Sequence, residues 1–247
     1  TKHIAVSELS NGASVNNLTV RNTGNRPHIV LEGDIFEGGM QNRVLTRSLV
    51  LAQGESREVP VACVEEGRWS GAGRHSGGRR RAPMGVRYGM SRTFSRIEPE
   101  EFLDSEAGTY VQGQVWDRIR QQESSLGAAP AHSLIESMDR MESVQGASDA
   151  VDRQCMLPGQ RGVIIGVGGY IASAEFFGHT DGLTSRWDAL ITAARYEALD
   201  APHRQTPSWA ARDFAQALEH TPFGEELPKP EEFNTPVGPL ALSSFSI

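Results

Sequence analysis

Cysteine and lysine are both scarce in this chain of 247 residues. The two cysteines, Cys63 and Cys155, lie far apart and cannot by themselves form a disulfide scaffold or a metal site. A reduced, cytoplasmic setting is therefore expected. Lys2 and Lys229 are the only lysines, so arginine supplies nearly all of the 24 positive charges. Local arginine clusters therefore partly reflect a bias of the whole sequence.

Long apolar runs are also missing. The longest nearly apolar run, residues 162–174, is shorter than the ~20 residues that cross a bilayer. No charged-then-apolar segment opens the sequence, so we expect neither a membrane span nor an uncleaved secretion signal. Hydrophobic residues make up 38% and charged residues 22% of the chain. This composition excludes a disordered chain and indicates a folded, soluble protein.

Charge is unevenly distributed along the sequence. The first 99 residues carry an excess of positive charge, the remainder is acidic, and the net charge is −7. Residues 68–96 hold eight arginines and no acid, with Arg79, Arg80 and Arg81 consecutive. Residues 70–96 lack periodicity and are predicted to form a long loop, either solvated and mobile or anion-binding. A single basic loop on an acidic chain argues against a nucleic-acid partner.

The first sixty residues have the pattern of short β-strands. Residues 3–9 and 14–22 alternate apolar and polar positions around Asn11-Gly12, which predicts a hairpin. Further strand-like runs cover residues 28–31, 44–52 and 57–64. Five short strands at this spacing predict a sandwich or a barrel.

The rest of the chain has mainly helical patterns. We predict that a helix begins at residues 99–101 and breaks at Gly108, and that two further helices cover residues 114–126 and 132–144. A hairpin is predicted over residues 162–178. It is followed by a helix capped by Thr184 or Ser185 and by a short helix over residues 207–218. The predicted fold class is α+β, an antiparallel β-sandwich or barrel-like sheet system packed against two or three helices. Residues 1–220 are expected to form one domain, and residues 221–247 a proline-rich segment and a terminal strand-like run.

Other chemistries are poorly represented in the sequence. Its seven histidines never occur in a paired metal spacing, and only His179 and Asp181 lie close enough to share a strand end. Residues 166–169 lack the third glycine of a dinucleotide-binding loop. Neither a nucleophile-elbow serine nor a phosphate-binding lysine motif occurs. We therefore predict neither a metal nor a cofactor.

The segment of residues 33–69 carries the chemical signal. Gly38-Gly39 permits a tight turn before Gln41, Asn42 and Arg43, and a strand then ends with Cys63, Glu65, Arg68 and Trp69. These side chains could together bind a nucleotide. Trp69 would stack on the base, Arg43 and Arg68 would bind phosphate, and Glu65 or Asn42 would bind ribose hydroxyls. A purely structural interpretation stays equally open. In it Trp69 is a core residue, Cys63 an inert hydrophobe and the arginines ion-pair partners.

The turn around Gly54 makes a geometric prediction. If the runs on either side pair as a hairpin centred there, Arg43 lies opposite Glu65. A contact between these two side chains is therefore expected. The ligand hypothesis further expects a concave pocket bordered by the polar residues of both motifs, with the Trp69 ring partly exposed to it.

The same motifs resemble a known family. The run Gly38-Gly39-Met40-Gln41-Asn42-Arg43, then Val59-Pro60-Val61, then Cys63-Val64-Glu65-Glu66-Gly67-Arg68-Trp69 is similar to the ARPP domain. That family is named for its association with ADP-ribosylglycohydrolase and rhodanese-phosphatase proteins. The resemblance implies that Gln41, Asn42, Arg43, Cys63, Glu65, Arg68 and Trp69 line a site for NAD-derived nucleotides or ADP-ribose. The arginine-rich residues 71–81 have no counterpart in the family pattern.

Two functions of different class follow from this resemblance. In the first, the domain binds an NAD-derived or ADP-ribose-like metabolite in an accessory or sensing role. In the second, it is an enzyme that hydrolyses or transfers an ADP-ribose-like group, with Glu65 as base and Cys63 as nucleophile. The sequence does not decide between them. In both, the expected partner is a small nucleotide-like molecule, and the sequence leaves the oligomeric state open.

Overall fold

The structure is a computed structural model that describes residues 3–87, 90, 106–125, 132–145 and 155–219. The chain divides into two compact units. The single domain expected over residues 1–220 stays a prediction. The first, here called the barrel unit, comprises Thr1–Asp152 with Phe245–Ile247. The second, here called the hairpin unit, comprises Arg153–Ser244.

Eight strands form the sheets of the barrel unit. They are β1 (Ile4–Ser7), β2 (Asn17–Asn22), β3 (His28–Val30), β4 (Asp34–Gly38), β5 (Arg43–Leu45), β6 (Leu49–Leu51), β7 (Ser56–Cys63) and β8 (Arg74–Arg81). Six of them close into an antiparallel barrel in the order β1-β2-β7-β5-β4-β8, and β3 pairs with β6 in a separate two-stranded sheet. The barrel closes where Val6 of β1 lies opposite His75 of β8.

Alternating residues of the strands fill the barrel interior. Successive side chains of a strand point to opposite faces, so every second residue is directed inward. The buried cluster consists of Val6, Leu18, Val20, Val30, Phe36, Leu45, Leu51, Val59 and Val61. Gly77 of β8 leaves room for the Phe36 ring, because a Cβ at Gly77 would lie 2.9 Å from Phe36 Cδ1. The interior is therefore packed by apolar side chains.

The predicted first hairpin is confirmed, with Val6 of β1 opposite Val20 of β2. The expected pairing of Arg43 with Glu65 is wrong by two residues, because Arg43 lies opposite Cys63. The predicted strand over residues 44–52 is divided at Thr46, whose N–H and hydroxyl both donate to the Pro60 carbonyl. The chain after Thr46 then pairs as β6 with β3 instead of with β7.

The loop predicted over residues 70–96 is wrong where it includes β8. This strand pairs with β1 and β4 inside the barrel, and acids on neighbouring elements pair with two of its four arginines. Arg80 pairs with Glu37 and Asp139, and Arg81 with Asp34. The arginine run is thus part of a strand rather than a mobile basic loop. Residues 91–96 lie outside the described part of the chain.

Residues 84–87 and 90 are helical, and two longer helices follow in the described part of the barrel unit. Helix α1 covers Glu106–Ser125 and α2 covers Leu134–Gln145. The break expected at Gly108 is wrong, because α1 continues through it. Helix α2 buries Leu134, Ile135, Met138 and Met141, the stripe that the sequence predicts. The helix start expected at residues 99–101 lies outside the described residues.

The described residues of the hairpin unit, 155–219, form two strands and three helices. Strands β9 (Gly162–Val167) and β10 (Tyr170–Phe176) form the predicted hairpin, whose turn is Gly168-Gly169 with positive φ at both glycines. Helices α3 (Thr180–Thr184), α4 (Trp187–Ala198) and α5 (Ser208–Glu219) follow. Arg186 is the N-cap of α4, so the expected cap at Thr184 or Ser185 is wrong. The predicted proline-rich segment over 221–247 lies outside the described residues.

The architecture confirms the predicted α+β class with a barrel-like antiparallel sheet. In the described part of the chain, no helix has the length and apolar character that crossing a membrane requires. The same residues contain no group of three or more His, Cys, Asp or Glu side chains placed to hold a metal ion. His179 and Asp181 lie together at the start of α3, where His179 Nδ1 accepts a hydrogen bond from the Asp181 N–H.

Candidate functional site

One end of the barrel, here called the Trp69 end, comprises residues 38–43 and 63–69 together with Glu8 and His75. Its first motif is positioned by the Gly38-Gly39 turn, where φ is +105° and +56°. The His75 ring packs directly on Gly39, since a Cβ there would lie 2.0 Å from His75 Nε2. Glycine is therefore required at position 39 both for its backbone conformation and for the close approach of this ring.

A buried polar network joins the two sequence motifs. The side-chain oxygen of Gln41 accepts hydrogen bonds from Cys63 Sγ (2.8 Å) and Arg43 Nη1 (3.1 Å). Gln41 Nε2 donates to the Glu65 carbonyl at 3.0 Å. All three side chains of the network, those of Gln41, Arg43 and Cys63, are buried. Gln41 thus links strands β5 and β7 across the end of the barrel.

Cys63 has the surroundings of a structural thiol. Its backbone N–H donates to Gln112 Oε1 of α1 at 2.6 Å, and its carbonyl accepts from Gln112 Nε2 at 2.9 Å. Burial raises the pKa of the thiol to about 11, outweighing the opposite effect of the Arg43 charge. The thiol is therefore protonated at neutral pH and acts as a hydrogen-bond donor, whereas nucleophilic cysteines have lowered pKa values.

Glu65 and Arg68 form an ion pair that ties the two motifs together. Glu65 Oε2 accepts from Arg68 Nη2 at 2.6 Å and from the Asn42 N–H at 3.1 Å. Burial acts to raise the Glu65 pKa, but these two hydrogen bonds bring it below its ordinary value of 4.5. Arg68 Nη1 also donates to the carbonyls of Gly39 (3.0 Å) and Ser70 (2.7 Å). Most donors of Arg68 are therefore used inside the protein.

Asn42 keeps part of its hydrogen-bonding capacity. Its side-chain oxygen accepts from the Gly38 N–H at 2.8 Å, which closes the glycine turn. Within the described residues, its NH₂ group has no hydrogen-bond partner. Asn42 thus fixes the turn with one atom and offers two donor hydrogens to a ligand with the other.

Arg43 and Trp69 form a cation–π pair at the surface of the barrel end. The Arg43 guanidinium carbon lies 5.5 Å from the centroid of the Trp69 ring. Arg43 is 0% exposed and Trp69 is 45% exposed. Burial lowers the pKa of Arg43, while the nearby carboxylates of Glu8 and Glu65 counter that shift. Trp69 therefore covers a buried positive charge.

Glu8 and His75 complete this cluster, although no pattern in the sequence selects them. Glu8 Oε1 accepts from the Met40 N–H at 3.0 Å and lies 3.0 Å from His75 Nε2. Burial lowers the pKa of His75, which is therefore neutral at pH 7 and donates to Glu8 through Nε2–H. Both residues reach the site only because β1 and β8 meet when the barrel closes.

The structure brings all seven predicted site residues together, in two layers. Gln41, Arg43 and Cys63 form a buried layer, and Asn42, Glu65, Arg68 and Trp69 form an outer layer. The expected ion pair between Arg43 and Glu65 is wrong, because Glu65 pairs with Arg68. The arrangement offers a planar stacking surface with hydrogen-bond donors beside it.

Comparison with models of protein families gives a match over most of the chain. The sequence model of the ARG and Rhodanese-Phosphatase-superfamily-associated Protein domain, ARPP-1, matches residues 1–230. Searches of curated proteins and of solved structures give no match. The matched range includes the whole Trp69 end.

Proposed function

The chain belongs to the ARPP-1 family, and from this premise we propose that it binds an NAD-derived or ADP-ribose-like nucleotide metabolite at the Trp69 end, in an accessory or sensing role. The observation that carries the proposal is the Trp69 ring, 45% exposed and lying over the buried Arg43 guanidinium. The association in the family name with ADP-ribosylglycohydrolases supports an ADP-ribose-related ligand.

The outer face of Trp69 suits a nucleotide base. Stacking of a base on an aromatic side chain contributes about 1–3 kcal/mol and tolerates any base. The cation–π contact with Arg43 holds the inner face of the ring, so the platform is already oriented before a ligand arrives. The NH₂ group of Asn42 then supplies a neutral donor to the same ligand.

The geometry favours binding over the enzymatic alternative with Glu65 and Cys63. A nucleophilic thiol needs a lowered pKa and access to substrate, whereas Cys63 is buried with its pKa raised to about 11. Glu65 already accepts hydrogen bonds from Arg68 and from the Asn42 N–H. We therefore assign Cys63 and Glu65 a structural role, in which their hydrogen bonds hold the two motifs of the site in place.

The proposal places the protein in the cytoplasm with a small nucleotide-like molecule as its partner. It is supported by the scarcity of cysteine in the chain, whose Cys63 and Cys155 lie far apart in the sequence.

A thermal-shift series tests the proposal with NAD, ADP-ribose and inorganic pyrophosphate as probes. A ligand at ~100 times its dissociation constant stabilises a protein by about 2.7 kcal/mol. Trp69→Ala should abolish the shift. Trp209→Ala is the matched control, because Trp209 is 47% exposed but belongs to α5 of the hairpin unit. Flat responses of the wild-type protein to all three probes would refute nucleotide binding.

A further inference from the structure

Strand β9 of the hairpin unit has an edge that no other described strand covers. Within the described residues, β9 pairs only with β10, in a two-stranded sheet. Its residues, Gly162–Val167, are all apolar or glycine, and none of them is buried. A two-stranded sheet is only marginally stable by itself in water, and further strands stabilise it. The apolar residues of β9 are therefore available to a further strand.

The two edges of this sheet differ in their protection against pairing. Natural proteins protect exposed edges with charges, prolines or bulges. Strand β10 has a register irregularity between Ile171 and Ser173, and it carries Glu175. Strand β9 has neither a charge nor a proline. The unprotected edge is therefore that of β9.

The hydrogen bonds of the hairpin show which backbone groups of β9 face this edge. The Phe177 N–H donates to the Arg161 carbonyl at 2.8 Å, so these two residues form a hydrogen-bonded pair. Hydrogen-bonded and non-hydrogen-bonded pairs alternate along an antiparallel ladder. Counting from this pair, the N–H and C=O groups of Gly162, Ile164 and Gly166 point away from β10.

The side chain of Gln160 agrees with this direction. Its Nε2 donates to the Gly162 carbonyl at 2.8 Å, as an outward carbonyl allows. Among the described residues, the backbone of Ile164 has no such side-chain partner. The middle of β9 therefore offers an unused donor and an unused acceptor to another strand.

An exposed aromatic ring lies beside the same edge. Phe176 is the last residue of β10 and is 61% exposed. Its ring extends from β10 over Gly162 of β9, since a Cβ at Gly162 would lie 2.5 Å from Phe176 Cδ1. An exposed large apolar side chain next to an unpaired apolar strand is typical of an interaction surface.

We propose that β9 pairs with β9 of a second copy of this chain, so that the two hairpins form one antiparallel sheet of four strands. A two-fold axis at Ile164 places this residue opposite its own copy and Gly162 opposite Gly166 of the second copy. All three outward residues then exchange hydrogen bonds with the other strand. Because β9 is uncharged, no like charges face each other across the axis.

The side chains above the strand fit the same arrangement. Glycine opposite glycine leaves space on one face of the sheet. Phe176 lies over Gly162, and Thr206 lies over Gly166, where a Cβ would be 2.6 Å from Thr206 Cβ. Phe176 of one copy therefore meets Thr206 of the other, and an aromatic ring covers the glycine pair. This self-complementarity favours a second copy over an unrelated strand.

The first test measures the mass of the full chain by size-exclusion chromatography with light scattering, from ~1 μM to ~1 mM protein. The mass should rise from the 26.9 kDa of one chain toward twice that value. Amide hydrogen exchange followed by NMR then identifies the surface. Protection of the Ile164 N–H should increase at least ~10-fold with concentration, whereas the Ile165 N–H, directed toward β10, should be protected throughout.

The second test removes the aromatic ring at the edge. Phe176→Ala should raise the dissociation constant of the dimer at least ~5-fold, as truncation of an important interface side chain typically does. Tyr110→Ala is the matched control, because Tyr110 is 59% exposed but belongs to α1 of the barrel unit. This control should leave the dissociation constant unchanged.

Each outcome supports or overturns the pairing. A mass of one chain at all concentrations refutes a second copy. Free exchange of Ile164 would then leave the edge to a strand of another protein, and protected Ile164 would mean that the chain covers it itself. A dimer with unchanged Ile164 exchange would also refute pairing through β9. Equal dissociation constants of the Phe176→Ala and Tyr110→Ala variants would refute the role of Phe176. Should Phe176→Ala not fold, exchange in the wild-type protein still decides the pairing.

Discussion

Strand β8 and the Trp69 end both concentrate arginine, but they neutralise its charge differently. On β8, Arg80 pairs with Glu37 and Asp139, and the buried Arg81 pairs with Asp34. At the Trp69 end the fully buried Arg43 has no carboxylate partner among the described residues and is covered by an aromatic ring. In the more conspicuous arginine cluster of the sequence, Arg80 and Arg81 therefore have their charges paired within the fold.

The difference shows which arginines can serve a ligand. A guanidinium whose carboxylate partner is fixed by the barrel contributes to structure, because a ligand would have to compete with that partner. A buried guanidinium without such a partner retains donors and an unscreened charge. The density of arginines in a sequence therefore says less about function than the pairing of each one.

The largest expected effect is a loss of stability when the buried ion pair between Arg81 of β8 and Asp34 is broken. Arg81→Met leaves the buried Asp34 carboxylate without its cation and should lower the free energy of unfolding by about 3–5 kcal/mol. Arg43→Met should cost less than half as much, because it leaves no ion pair broken. Urea unfolding followed by circular dichroism measures both variants. If both variants lose the same free energy of unfolding, the proposed difference between paired and unpaired arginines is wrong.

The second prediction concerns Cys63 at the Trp69 end. With its pKa raised to about 11 from an ordinary value of 9.0, its thiolate fraction at neutral pH is about a hundredfold lower. Iodoacetamide should therefore label the exposed Cys155 in the native protein and reach Cys63 only after denaturation. Mass spectrometry of the labelled peptides distinguishes the two sites. Faster labelling of Cys63 than of Cys155 would restore the nucleophile hypothesis.

The third prediction compares two glycines with positive φ. Gly39→Ala combines a left-handed backbone with a Cβ that would lie 2.0 Å from His75 Nε2. Gly54→Ala has a similar φ of +72° but nothing within 4 Å of its Cβ. We expect Gly54→Ala to cost about 1 kcal/mol and Gly39→Ala at least about 2 kcal/mol. If thermal unfolding gives equal values, the close approach of His75 contributes nothing.

The smallest expected effect is a pH dependence at the Glu65–Arg68 pair. The pKa of Glu65 in the folded protein lies below its ordinary value of 4.5, so the unfolded chain binds this proton more tightly. The pair therefore stabilises the fold above about pH 4.5, and this contribution disappears as the pH falls through the lower folded pKa. Glu65→Gln should lose stability at about pH 6 and approach the wild type at about pH 3.

Arg68→Gln provides the reciprocal measurement, because it removes the cation of the same pair. Its difference from the wild type should also diminish as the pH falls through the Glu65 pKa. A pH-independent difference in both variants would mean that they act through lost packing instead of the ion pair.

The elements that the sequence predicted have local signals. The hairpin of β1 and β2 has an alternating pattern on both sides of Asn11-Gly12, and α2 has its apolar stripe. Strand β8 was missed because its arginines hide the alternation and because its stability comes from pairing with β1 and β4. Strand propensity depends strongly on such non-local context.

The candidate site was predictable as a set of residues but not as an arrangement. Local sequence indicated the two motifs, and the fold confirms that they meet. Which residue of β7 lies opposite Arg43 depends on where the chain leaves β5. The hydrogen bond between Thr46 and the Pro60 carbonyl, 14 residues apart in sequence, determines that point. Glu8 and His75 belong to the site only through closure of the barrel, which no local pattern encodes.

Closure of the barrel also dictates when the Trp69 end can assemble. The contact between Glu8 and His75 joins residues 67 positions apart, so it cannot form until β8 has been synthesised. Before that, β1 has an open edge, available to pair with another chain. Loss of the first eight residues would keep β8 exposed permanently and remove the Glu8 carboxylate at the same time. Protection of the β8 edge and assembly of the Trp69 end therefore depend on the same short N-terminal strand.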